Sequence, residues 1–234
     1  MIDLHAHFLP AMDDGAGTIR ESMRMLEDSF LQGVFICAAT PHCVVHHADD
    51  ILMFLKKRQS CIRTLNEALA ASTKTVPQIV LGAEVYLDHD ISGYAGLEQL
   101  CLGDSPYMLV EFSHSKKSKD LPEWLYSLSL KGIKPIVAHI DRYEDREVLI
   151  QAFSGLGVVY QINASSMLTF GGRRFTAQLL RITNRVIVSS DMHNLSSRPC
   201  NMQDAYCKAR RFGERVREEL FLHNATQILG VERK

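Results

Sequence analysis

The sequence predicts one α/β domain over residues 1–234: a parallel sheet covered by helices, closed as a barrel rather than left open. Short continuous apolar runs alternate with longer amphipathic ones, the pattern of strands buried on both faces and joined by helical crossovers. No Pro/Gly/Ser-rich linker and no internal repeat divides the chain. Imidazoles and carboxylates recur at the C-terminal ends of successive predicted strands. A barrel brings such ends to one mouth, whereas an open sheet would spread them along a line.

The elements follow in order. IDLHAH at 2–7 is the first strand. TIRE at 18–21 has capping-box spacing and opens a helix whose apolar positions Met23, Leu26 and Phe30 fall at helical spacing. Gly33 ends that helix, and VFICAA at 34–39 is a buried strand stopped by Thr40 and Pro41. A long helix covers about 50–72, then QIVLGAEV at 78–85 and YMLVEF at 107–112 are strands. Gly93 and Gly96 weaken any helix between those two. Residues 124–131 are helical up to Gly132, KPIVAH at 134–139 is a strand, 144–153 a helix and VVYQIN at 158–163 a strand. Gly171 to Arg174 (GGRR) reads as a mouth-side loop, either substrate-facing or simply solvated, before a helix near 174–182. RVIVSS at 185–190 is the seventh strand, and helices over about 201–221 and 224–229 finish the chain.

Composition narrows the function classes. With 46% apolar and 23% charged residues the chain is an ordinary globular one. Its formal net charge of -1 offers no basic field for a nucleic acid. No run approaches the ~20 apolar residues of a membrane span. The start, Met1-Ile-Asp, lacks the charged and apolar regions of a signal peptide, so a cytoplasmic protein is expected. The six cysteines form no CxxC pair and read as reduced, mostly buried thiols. None has an arginine six positions on, so the C-x5-R loop of a cysteine phosphatase is missing.

The residues at the strand ends carry the chemistry. The first strand supplies His5 and His7, then Asp14 in the loop beyond. The next supply His42, Glu84, Glu111 and His139, and the seventh supplies Asp191 and His193. One such residue reads as a satisfied core histidine or a cap. Nine at one end of successive apolar strands need partners or metal. Imidazole with carboxylate, without thiolate, suits zinc, iron or manganese, and the acidic share leans towards manganese. His5 and His7 sit at i and i+2 of a strand, pointing the same way, and Asp191 and His193 share that spacing. Nine donors exceed the need of one ion, so a cluster with a bridging carboxylate is expected.

In order, HAH at 5–7, Asp14, TPH ending at His42, GAE ending at Glu84, Glu111, AH ending at His139 and DMH at 191–193 resemble the polymerase and histidinol phosphatase (PHP) superfamily. That resemblance covers nearly the whole chain and implies a distorted (β/α)7 TIM-like barrel with a trinuclear metal centre. IDLHAHFLPAMDDGAGTIRESMRML, GAEVYL, PIVAHIDRYED and SSDMHNLSSRP further resemble the bacterial capsule and exopolysaccharide tyrosine phosphatases of the CpsB/YwqE type. The resemblance implies one ion on His5, His7, Glu84 and Asp191, a second on Asp14, His42 and His193, and a third on Glu84, Glu111 and His139. It implies manganese, with iron, zinc, cobalt or magnesium as alternatives, and phosphate binding by Arg142 in HIDRY and Arg198 in SSRP. ATPH and HIDRY stand where the family often has ATSH and HIERY, and both changes spare the donors.

The implied reaction is hydrolysis of phosphotyrosine by a metal-bound hydroxide. The implied partner is a bacterial tyrosine kinase controlling polysaccharide export; homo-oligomerisation is left open. Three other readings share the residues: a histidinol-phosphate-type monoesterase, a nuclease-like phosphodiesterase, and a non-catalytic metal-stabilised scaffold. His46 and His47 lie near the mouth without a family counterpart. His89, His114 and His223 read as surface or capping residues, the lysine run at 116–119 as a solvated loop, and the basic stretch 208–217 as an exposed helix face.

Overall fold

The computed structural model describes residues 1–113 and 119–231; His114 and most of the 116–119 run lie outside them. Its strands are β1 (Ile2–Ala6), β2 (Ile36–Ala39), β3 (His42–Val44), β4 (Gln78–Leu81), β5 (Glu84–Leu87), β6 (Tyr107–Phe112), β7 (Lys134–Val137), β8 (Val159–Asn163) and β9 (Val186–Ser189). The helices are α1 (Ile19–Leu31), α2 (Ala48–Ala70), α3 (Leu121–Leu130), α4 (Arg146–Ala152), α5 (Ala164–Met167), α6 (Phe170–Leu179), α7 (Met202–Lys208), α8 (Glu214–Glu218) and α9 (Asn224–Leu229). All strand pairs are parallel, in a three-stranded sheet β1-β2-β4 and a six-stranded sheet β3-β5-β6-β7-β8-β9.

The seven expected strands become nine because the strand over 78–85 breaks and the chain restarts as a strand past Thr40 and Pro41. Pro41, which has no N–H to give a ladder, separates β2 from β3. Gly82 separates β4 from β5, and its carbonyl is drawn to buried Arg58, whose Nη1 donates at 2.6 Å. A Cβ there would meet Leu102 Cδ2 at 2.7 Å, so any larger residue would have to displace the Leu102 side chain. Pairing continues through both breaks: Gly82 N donates to Ala39 O at 2.9 Å and Glu84 N to Pro41 O at 3.1 Å. At the other edge, β1 meets the segment after β9. Asp191 N donates to His5 O at 2.8 Å, His7 N donates to Met192 O at 2.9 Å, and Ala6 bridges Met192.

Alternate strand residues fill two apolar layers. Ile2, Leu4, Ile36, Leu109, Ile136, Val159 and Ile187, drawn from both sheets, pack in one cluster with Ala225 and Ile228 of α9. The opposite faces pack under the surrounding helices.

Three local expectations are corrected. In α1, Thr18 caps by accepting from Glu21 N at 3.2 Å, while Glu21 Oε2 reaches Gly17 N at 3.0 Å. The buried stripe is Ser22, Met25, Leu26 and Ser29, so Met23 is only partly buried and Phe30 is exposed. The GGRR stretch belongs to α6 rather than to a loop: Thr169 Oγ1 accepts from Gly172 N at 2.9 Å, and a Cβ on Gly172 would meet Ser166 O at 2.1 Å. Only glycine lets α5 and α6 approach that closely. The single helix expected over 201–221 is segmented, with Gly213 at φ +86° between Ala209–Phe212 and α8. No helix among the described residues is long and apolar enough to cross a membrane.

Candidate metal centre

The C-terminal ends of the strands bring all nine expected donor residues together. His5 and His7 are fully buried, and their outer nitrogens fix their tautomers. Gln161 Oε1 accepts from His139 N at 2.6 Å, while Gln161 Nε2 donates to Asn163 Oδ1 at 2.8 Å. That orientation makes Gln161 Oε1 an acceptor for His5 Nδ1–H at 3.0 Å. His7 Nδ1–H donates to Asp13 Oδ2 at 2.7 Å. In their neutral forms both rings therefore present Nε2 lone pairs, and these two atoms face each other at 3.1 Å.

Glu84 stands at their centre. Its Oε2 lies 3.2 Å from His5 Nε2, 3.3 Å from His7 Nε2 and 3.1 Å from His42 Nδ1. Yet that oxygen is buried and accepts no hydrogen bond among the described residues. Glu84 Oε1 is 3.0 Å from His139 Nε2, and Glu111 lies 3.1 Å from His42 Nδ1 and 3.5 Å from His139 Nε2. His193 Nδ1–H donates to the Asp191 carbonyl at 3.1 Å, leaving Nε2 buried without a hydrogen bond, 3.4 Å from Asp14 Oδ1. Lone pairs converging on shared space repel one another unless cations sit among them. The donor set thus fits divalent metal. Three groups have donor atoms within 4.8 Å of one another: His5, His7 and Glu84; His7, Asp14, His42 and His193; and His42, Glu84 and Glu111.

Without metal, protons take over part of this role. Burial pulls the His42 pKa down, but Glu111 and Glu84 raise it to about 11. Against the same burial, Asp13 and Glu84 raise His7 to about 9, and Glu111 and Glu84 raise His139 to about 9. His193 goes the other way: burial and the charges of His7 and Arg198 lower it to about 4. Burial opposes ionisation of Asp191, but the neighbouring His5 holds its pKa at about 2.

Two of the nine sit on left-handed backbone, His139 at φ +31° and Asp191 at φ +54°. Such residues cost about 1–3 kcal/mol each and need holding in place. His139 N is held by Gln161, and Asp191 N by the His5 carbonyl at 2.8 Å. Asp3 Oδ1 accepts from Ser190 N at 2.9 Å, anchoring the turn just before Asp191.

Arg142 and Arg198 reach the same carboxylate. Arg198 Nη2 lies 2.8 Å from both Asp191 oxygens, and Arg142 Nη1 is 3.4 Å from Oδ2. Arg198 ends a tight loop folded on Asn194, whose Oδ1 accepts from the N–H groups of Ser196, Ser197 and Arg198. Both side chains are partly exposed, so their forks are open to a ligand.

Three supporting residues are invisible to sequence patterning as supports. Asp13 orients His7 and also accepts from His42 N at 3.0 Å. Gln161 joins His5 to His139, and Asn163 Nδ2 donates to Asp191 Oδ2 at 2.8 Å. The one signal for the two amides is a pair of polar residues at i and i+2 in the apolar strand VVYQIN.

The five buried or half-buried cysteines and exposed Cys207 are all unpaired, as expected of reduced thiols.

Compared with known proteins, residues 1–230 match a family model described as capsular polysaccharide synthesis, CpsB/CapC. The chain is 32% identical over 247 residues, 98% of each protein, to the tyrosine-protein phosphatase CpsB of Streptococcus agalactiae. It is 31% identical to the tyrosine-protein phosphatase YwqE of Bacillus subtilis, over 97% of this chain and 93% of that one. A solved structure described as YwqE from Bacillus subtilis and CpsB from Streptococcus pneumoniae, unique metal-dependent tyrosine phosphatases, superposes with a TM-score of 0.79 at 28% identity, covering 93% of this chain and 90% of the other. The lactonase Lmo2620 of Listeria monocytogenes, 11% identical with a TM-score of 0.61, shares the fold alone.

Proposed function

The chain belongs to the CpsB/CapC capsular polysaccharide synthesis family, and from that premise we propose that it is a metal-dependent tyrosine-protein phosphatase. The observation that carries this reading is Glu84 Oε2, buried among three imidazole nitrogens with no hydrogen bond of its own. His5, His7, Glu84 and Asp191 would hold one ion, Asp14, His42 and His193 a second, and Glu84, Glu111 and His139 a third. Manganese is the ion proposed, because four of these nine donors are carboxylates. Divalent ions bound there supply an acidified water near neutral pH and positive charge for phosphate oxygens.

The chain's own residues do the rest. Arg142 and Arg198 grip the phosphate with planar, permanently charged forks. Asp13, Gln161 and Asn163 fix the rings and the carboxylate that hold the metals. A phenolate leaving group, with a conjugate acid near pKa ~10, departs with less protonic help than an alkoxide. A thiolate route has no support: burial raises Cys43 and Cys200 to about 12 and Cys101 to about 11.

We read the two sheets as one distorted seven-stranded barrel in a single domain. The pairing that runs through both strand breaks, the contact between β1 and the segment after β9, and the inner cluster drawn from both sheets support it. A phosphorylated bacterial tyrosine kinase, met in the cytoplasm, is the substrate this family membership suggests.

Metal content and turnover on a phosphotyrosine peptide test the site. His139→Ala and Asp191→Ala should each lose bound metal and at least about a hundredfold in turnover while keeping the wild-type circular dichroism. A His139→Ala enzyme that stays active would remove the metal assignment.

A further inference from the structure

One group of donors has no part in the nine-residue centre. His46 follows β3, and Asp88 and His89 follow β5; each brings a donor atom within 4.8 Å of the others. Asp88 bridges the pair. Its Oδ1 accepts from His89 Nδ1 at 2.6 Å, and its Oδ2 lies 3.9 Å from His46 Nδ1. The two imidazole rings stack, 6.1 Å between centroids and 17° from parallel.

The loop that carries His46 is fixed independently of the cluster. Asp50 Oδ2 accepts from the backbone N–H groups of His46 and His47, each at 2.8 Å. Tyr94 donates its hydroxyl to the His46 carbonyl at 2.7 Å, and its ring meets the His89 ring edge-on. The His46 backbone and the His89 ring are thus held beside Asp88, which lowers the ordering cost of binding. The three side chains also reach solvent, so an ion there exchanges freely. Their position is specific. β3 pairs with β5 with His42 opposite Glu84; β3 ends at Val44 and β5 at Leu87, so His46 and Asp88 follow just past the two neighbouring strand ends.

We propose that His46, Asp88 and His89 form a second, solvent-open metal site at the rim of the mouth, selective for a borderline transition ion of the Zn2+, Ni2+ or Cu2+ class. Two imidazoles and one carboxylate are a donor set such ions take with coordination positions to spare. Manganese binds weakest of the first-row series at a nitrogen-rich site. The inner centre, with Asp14, Glu84, Glu111 and Asp191 among its donors, is harder. The rim, with two nitrogens to one oxygen, therefore takes such an ion in preference to manganese. The comparison rests on the inner centre proposed above, so the test counts metals rather than turnover.

Manganese-saturated protein is dialysed to equilibrium against buffered Ni2+, and both metals are counted in the protein compartment. Wild type should take up one nickel per chain beyond any that replaces manganese. His46→Ala and His89→Ala should each lose that nickel with manganese content and Tm unchanged. Asp88→Asn should bind nickel about 10–100-fold more weakly. Nickel uptake matched by manganese release, no extra nickel in wild type, or full uptake by His46→Ala and His89→Ala would each overturn the proposal. So would a His46→Ala or His89→Ala protein that loses manganese together with nickel, since the rim would then not be a separate site.

Discussion

Arg198 illustrates how a single residue divides its work. Its guanidinium lies on both oxygens of Asp191, a carboxylate that the proposed centre also needs. A charge-assisted hydrogen bond to phosphate is worth about 1.5–3 kcal/mol, so Arg198→Ala should cost roughly tenfold to a hundredfold in kcat/KM on a phosphotyrosine peptide. Unchanged kinetics would take Arg198 out of the site. The imidazoles make a second prediction, with its sign fixed by linkage. His7 and His139, raised to about 9, and His42, raised to about 11, hold protons in the metal-free protein and must release them to bind an ion. The stability those raised values lend the metal-free fold is complete below the ordinary histidine value of about 6.5. It is lost as pH rises through about 9 for His7 and His139 and through about 11 for His42. Manganese affinity should therefore climb between pH ~6.5 and ~9, with proton release visible by calorimetry in buffers of different ionisation enthalpy. An affinity flat over that window, without proton release, would contradict it. The candidate donors could be picked out because imidazole and carboxylate are costly to bury at the ends of apolar strands unless they are paired or bound to metal. Their supports could not. Gln161 and Asn163 are neutral amides, and the role of Asp13 depends on the tautomer of His7, which only the folded contacts define.

At the scale of elements, the loop after β1 is the most exacting piece. Asp13 orients His7 while Asp14 approaches His42 and His193, so neighbouring carboxylates serve different partners. The turn closes because Gly15 lies on the His7 backbone: a Cβ there would sit 1.9 Å from His7 O. Gly15→Ala should push the loop away, destabilise the fold by about 1–3 kcal/mol and weaken metal binding. Gly93, with nothing within 4 Å of a Cβ, is the control, and Gly93→Ala should leave both unchanged. Thermal melts with metal counts check the pair, and a Gly15→Ala protein with wild-type Tm and metal content would sink the argument. The strand cores and the capping of α1 were readable from periodicity and from TIRE. The breaks were harder. Thr40 and Pro41 announce the end of β2, but the three-residue restart at His42 carries no periodic signal. Gly82 looks like part of one strand until Arg58 and Leu102 give the break its cause. The placement of GGRR in α6 likewise depends on Ser166 across the turn, a contact no local window contains.

Over the whole molecule, the donors run from His5 near one end of the chain to His193 near the other, and the contact of β1 with the segment after β9 brings them together. That convergence was the part of the architecture most legible in advance, because identical chemistry at successive strand ends makes sense only if the ends meet. The rim histidines were not legible as a group, since His46 and His89 are far apart in sequence and only the pairing of β3 with β5 brings them close. The central claim is that this metal centre, and no cysteine, removes phosphate from tyrosine. Its most direct test is phosphate release from a tyrosine-phosphorylated peptide, from histidinol phosphate and from a phosphodiester, by protein stripped of metal and reloaded with manganese. The account predicts release from the phosphotyrosine peptide in preference to the other two, lost on stripping, restored by manganese and indifferent to thiol alkylation. Preference for histidinol phosphate or the diester, or turnover that survives stripping and dies with alkylation, would contradict it.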